Sequence, residues 1–155
     1  MKLWLFLSAA GTALHFLYEW MPSPGTAVPG AVNESVWEHL KLLFVPGFLW
    51  AMYVAKDTAA AAAGLLTGLG VIAALYYTYT GALGVDVTAV DIGIFYAAAA
   101  AVVFTERKLR GRWRCRGLAA VGLTALGALF IWWTFFPPRL PLFCDPVSGG
   151  YGMMG

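Results

Sequence analysis

The side chains able to do chemistry in this chain are few and gathered in short segments. His15 and Glu19 stand four residues apart in LHFLYEW, and NESVWEH contributes Glu34, Glu38 and His39, with Lys41 two residues further on. At i, i+4 spacing His15 and Glu19 share one face of a helix. Two imidazoles with carboxylates make the donor set of a divalent metal such as zinc, so His15, Glu19, Glu38 and His39 are the candidate ligands. The pattern is far less specific than HExxH, because neighbours such as Glu38 and His39 point about 100° apart on a helix. In a hydrolytic version Glu34 or Asp91 would activate a metal-bound water. Two other readings use the same residues. One is a metal-free acid–base or proton-relay site. The other is a structural ion-paired network in which Lys41 holds Glu34 or Glu38 and Asp91 caps a helix or meets Arg139. No nucleophile–base pair is legible, so no substrate is named.

The elements that position these groups follow from composition. The chain has 155 residues, 61% hydrophobic and 12% charged, with mean hydropathy +0.73. Soluble domains carry roughly a quarter charged residues, so disorder, nucleic-acid binding and an ordinary cytosolic enzyme are excluded. A spanning helix needs about 20 mostly apolar residues, and five segments qualify: about 3–20, 34–55, 58–81, 87–105 and 117–136. They lack the apolar/polar alternation of barrel strands. The expected fold is all-α: a polytopic five-transmembrane-helix bundle in a single membrane domain, with a tail over 137–155. No internal repeat is evident.

Lysine and arginine in short loops set orientation. Lys2, Lys56 and the six basic residues of ERKLRGRWRCR fall on one side of a five-span layout. That side is expected to be cytoplasmic, as is the N-terminus, with the C-terminus extracytoplasmic. Met1-Lys2 followed by LWLFLSAA resembles a signal peptide, but the apolar run continues through Leu14, Phe16 and Leu17, which favours an uncleaved first span. Six of the eight carboxylates and both histidines then lie at the outer end. Trp20, Tyr76, Tyr77, Tyr79, Trp132 and Trp133 fall near that interface, where amphipathic rings settle.

Asn33 reads as the N-cap of the second span, with Glu34 in its first turn. Glu34, Glu38 and Lys41 then form one stripe. A carboxylate or ammonium below the interface costs on the order of 2–3 kcal/mol unless paired, so an outward-open polar pocket among the first, second and fourth spans is expected. Pro46 predicts a kink just below it. Asn33-Glu34-Ser35 also matches a glycosylation sequon, for which the capping reading is preferred. Gly64 and Gly68 form a GxxxG, a weak sign of close helix packing. Cys115 and Cys144 fall at opposite ends and cannot pair. The tail from Pro137 to Gly152 is too rich in proline and glycine for a helix, yet it carries Leu140, Leu142, Phe143 and Tyr151. It is expected to fold back as a lid, bringing Arg139, Asp145 and Tyr151 to a ligand pocket that includes Glu38 and Lys41. A merely disordered end is the alternative.

NESVWEHLKLLFVP, PPRLPLFCDPVSGGYG and the preceding LHFLYEW resemble a family of small bacterial integral membrane proteins catalogued only as a domain of unknown function. The resemblance covers most of the chain and is hydropathic in the Ala/Gly-rich middle. It implies a bacterial inner-membrane protein and brings no activity, substrate or cofactor. The expected function is a binding or catalytic site for a small polar ligand, metal ion or lipid headgroup at the outer leaflet. The alternatives are an ion- or proton-coupled permease, and a non-catalytic accessory subunit. The lipid bilayer is the expected partner, with a homo-oligomer or a membrane-complex subunit as further candidates and no nucleic acid.

Overall fold

A computed structural model describes residues 2–113 and 115–154. Met1, the start of the leader-like segment, and Arg114 of the basic connection lie outside the described residues, as does Gly155. The described chain is all-helical: α1 (Lys2–Trp20), α2 (Pro24–Ala27), α3 (Val36–Leu49) running into a π-turn (Trp50–Val54), α4 (Thr58–Leu83), α5 (Thr88–Leu109) and α6 (Arg116–Phe135). No strand occurs among the described residues, only an isolated bridge between Cys144 and Tyr151. Three helices, α4, α5 and α6, are long and apolar enough to cross a membrane. The flank of α6 is bare of covering chain, with Leu118 75% exposed and Val121 67% exposed, whereas α4 is the most enclosed of the three by its neighbours.

Packing follows from small residues. A Cβ at Gly64 would lie 2.6 Å from the Val102 carbonyl oxygen, and one at Gly68 would lie 2.5 Å from a Val102 methyl. The GxxxG thus brings the α4 and α5 backbones together inside the bundle. Ala59–Ala62 on α4 and Ala98 and Ala99 on α5 are buried. Likewise Gly11 of α1 faces the Leu42 carbonyl oxygen, which a Cβ would approach to 3.1 Å. Leu42 is four residues before Pro46, whose missing N–H leaves that carbonyl without its helical donor. The π-turn that follows re-pairs the chain one residue later and lets the run continue to Val54.

The start of α3 differs from the sequence expectation. Ser35, not Asn33, is the N-cap: its Oγ accepts the Glu38 N–H at 3.4 Å. Asn33 Oδ1 instead accepts the Ser35 N–H at 2.9 Å. Glu34 therefore stands before the helix, off the stripe that carries Glu38 and Lys41. The connection from Met21 to Ser35 holds α2, a single turn capped by reciprocal bonds between Ser23 and Thr26 with Pro24 at its first position.

The tail is folded back. Phe143 packs on Trp37 at 4.8 Å between centroids, and Asn33 Nδ2 donates to the Gly152 carbonyl at 3.1 Å. At the opposite end Asp57 caps α4 through the Ala60 N–H and accepts the Gly111 N–H at 2.7 Å. Those amides, Gly111 first, hold its carboxyl below the usual aspartate value.

Candidate metal centre

α1 ends and α3 begins at the same end of the bundle, which brings the two histidine rings to 5.5 Å between centroids. Glu34 lies between them. His39 Nε2 is 3.6 Å from Glu34 Oε2 and His15 Nε2 is 3.9 Å from Glu34 Oε1. One ligand atom from each of the three residues lies within 4.8 Å of the others. All three side chains are partly open to solvent, at 30%, 49% and 29% for His15, Glu34 and His39.

Backbone chemistry orients His39. Its Nδ1 sits 3.0 Å from the Ser35 carbonyl oxygen. A carbonyl only accepts, so Nδ1 carries a proton, and Nε2 is the ring nitrogen that faces Glu34. That is how outer-shell carbonyls fix ligating histidines. The capping turn that places Ser35 is thus also what aims His39. Phe16 holds the His15 ring edge-on at 5.0 Å between centroids, and His15 Nδ1 is buried without a partner among the described residues.

Glu38 and Lys41 belong to a different structure. Lys41 is fully buried and its ammonium pairs with Glu38. It also donates to the Ala27 carbonyl at 2.8 Å and to Thr134 Oγ1 at 3.0 Å. Three donors are all a lysine has, so Lys41 has nothing left for a ligand. Glu38, 2% exposed, also accepts the Val32 N–H at 3.1 Å. The pair ties α3 to α2, the α2–α3 connection and α6. It is the ion-paired network weighed above, drawn by Glu38 rather than Glu34.

The remaining expected residues are scattered. Glu19 is exposed and makes no ion pair among the described residues. Asp91 accepts the Tyr79 hydroxyl at 2.7 Å and meets no arginine among the described residues; Arg139 is exposed. Asp145 is satisfied within its own turn, by the Val147 N–H at 2.9 Å and the Ser148 hydroxyl at 2.6 Å. Tyr151 pairs with Cys144 across the isolated bridge. The tail docks beside the centre through Asn33, and Arg139, Asp145 and Tyr151 contribute no ligand atom to it.

Sequence reasoning did not foresee the group around Asp86, which accepts Tyr76 at 2.8 Å and Tyr79 at 3.1 Å. Burial raises the Asp86 carboxyl, but hydrogen bonds from Tyr76 and Tyr79 help hold it below the usual value. Tyrosines read as an interfacial belt gave no hint of it. For the Ser35 cap the signal was present: Ser35-Val36-Trp37-Glu38 fits the S-x-x-E pattern that marks helix starts.

Residues 3–153 match the model of a family described as "Family of unknown function (DUF6512)". The chain belongs to this family. No curated protein and no solved structure matches it.

Proposed function

We propose that this member of the DUF6512 family is a five-span protein of the bacterial cytoplasmic membrane. It holds a divalent transition-metal ion on His15, Glu34 and His39 at its extracytoplasmic face. Glu34 replaces Glu19 and Glu38 in the ligand set read from sequence. The observation that carries the proposal is the convergence of three ligand atoms within 4.8 Å, with Nε2 of His39 facing Glu34. Zinc–nitrogen distances of about 2.0–2.1 Å put neighbouring ligands of a tetrahedral ion roughly 3.3 Å apart. The 3.6 and 3.9 Å contacts run to different Glu34 oxygens, so gathering single ligand atoms that lie within 4.8 Å of one another around one ion needs a closure of up to about 1.5 Å.

The five-span layout is supported by α1 and by the helical run from Val36 to Val54, which pack beside α4, α5 and α6. The gathering of Lys2, Lys56 and the basic connection at the end opposite the histidines supports the orientation. Three protein ligands leave a coordination position open, as in catalytic rather than structural sites. An ion there would polarise a bound water or a ligand oxygen, and metal-dependent hydrolysis at the outer leaflet is the reaction class this suits.

Metal analysis of protein purified without a histidine tag tests the proposal. About one equivalent of metal in wild type is expected, retained in Glu19→Gln and lost in Glu34→Gln and His39→Ala. A metal-free wild type, or full occupancy in Glu34→Gln, overturns it.

A further inference from the structure

A groove of about 530 Å³ runs along the outer face of α1 against α5. Its floor is made of small residues, Ala9 and Ala13, and Tyr96 closes one side. Trp4 marks one end, its Nε1 donating to the Tyr96 carbonyl at 3.2 Å. Phe16 and Trp20, stacked at 5.8 Å, mark the other. The same Phe16 ring packs edge-on against His15, so the groove opens directly beside the metal ligands. Trp4 and Trp20 are sixteen residues apart, or about 24 Å of helix. Half the hydrocarbon core is about 15 Å, so the groove can seat a complete outer-leaflet acyl chain.

Charge complementarity identifies the head of the occupant. A divalent ion held by two neutral imidazoles and one carboxylate keeps a net charge of about +1 with a coordination position open. An anionic oxygen suits that position, and a neutral or cationic group does not.

The geometry points to a lipid with a terminal, monoester phosphate as the ligand of this centre, with its tail in the α1–α5 groove and a phosphate oxygen on the metal; a zwitterionic diester such as phosphatidylcholine has no net charge to match the centre. The inference rests on the metal reading above and names the substrate class of that site. Such a ligand lies half in the bilayer and half in the polar end of the bundle, where no soluble ligand would need Ala9 and Ala13.

The test uses the full chain in phosphatidylcholine nanodiscs containing a small fraction of phosphatidic acid or phosphatidylcholine with a photoreactive acyl chain. Metal content is measured in parallel. Expected are crosslinks to groove residues several-fold stronger with phosphatidic acid, abolished by metal chelation and by Ala9→Trp/Ala13→Trp. That variant fills the groove and should keep its metal, which also shows that it is folded. Equal labelling by the two lipids, or labelling unchanged in the filled variant, overturns the lipid assignment while leaving the metal centre standing. Complete competition by millimolar inorganic phosphate would make the ligand a soluble phosphate and overturn it too. A wild-type protein without metal overturns both readings.

Discussion

Two charged groups sit one helical turn apart at the start of α3 and have opposite fates. Glu38 and Lys41 are buried, and every ammonium proton is spent on a protein acceptor. Glu34 and His39 are partly open, and Glu34 lies 3.6 Å from His39 and 3.9 Å from His15, longer than a hydrogen bond. A fully satisfied group joins elements, because removing one partner leaves the other charge buried. A group with spare lone pairs, held in place but unpaired, can take a ligand. The difference comes from the Ser35 cap, which leaves Glu34 outside the helix and turns Glu38 inward.

The largest effect should come from breaking the closed pair. Lys41→Met leaves the buried Glu38 carboxylate without its counter-charge and should cost about 3–5 kcal/mol, read as a large fall in thermal stability in detergent. Adding Glu38→Leu should recover most of it; a single variant as stable as wild type would refute the contrast. Next, metal at a hundredfold excess over Kd should stabilise the wild type by about 2.7 kcal/mol. It should do nothing for Glu34→Gln, as read by the same melts. Third, Asp57 at the opposite end is a satisfied cap with no ligand role. Asp57→Ala should cost about 1 kcal/mol at neutral pH. Its lowered carboxyl stabilises the fold above the ordinary value of 3.8 and stops doing so as pH falls through the depressed one. The gap between variant and wild type should therefore close in acid, which melts from pH 7 to 3 would show. Smallest, Glu34→Gln without metal should shift stability by no more than about 0.5 kcal/mol. A larger loss would place Glu34 with the structural network.

Part of this was legible beforehand. Long apolar runs dictate helices because backbone groups in lipid must pair within their own segment, and α4, α5 and α6 have the length and hydropathy to do so. That the two histidines would meet at one end was also legible, since His15 lies late in the first helical run and His39 early in the next. The sorting of the carboxylates was not. Whether Glu34 or Glu38 meets the histidines depends on where the first helical turn begins, and Asn33 and Ser35 are both good caps by type. The tail's hydrophobic residues predicted folding back, but not that Asp145 would be consumed by its own turn.

Composition and periodicity alone determined the helical class, the charge polarity and the short list of chemically able residues, because burial in an apolar medium is read residue by residue. Only the tertiary structure decided which of them touch. Lys41 reaches Thr134, 93 residues away, and His15 reaches Glu34 across a connection that no helical period describes. Those contacts depend on how helices pack and where each one starts. On α3 itself, adjacent Glu38 and His39, about 100° apart around the helix, go one to the sealed ion pair and the other to the open ligand set.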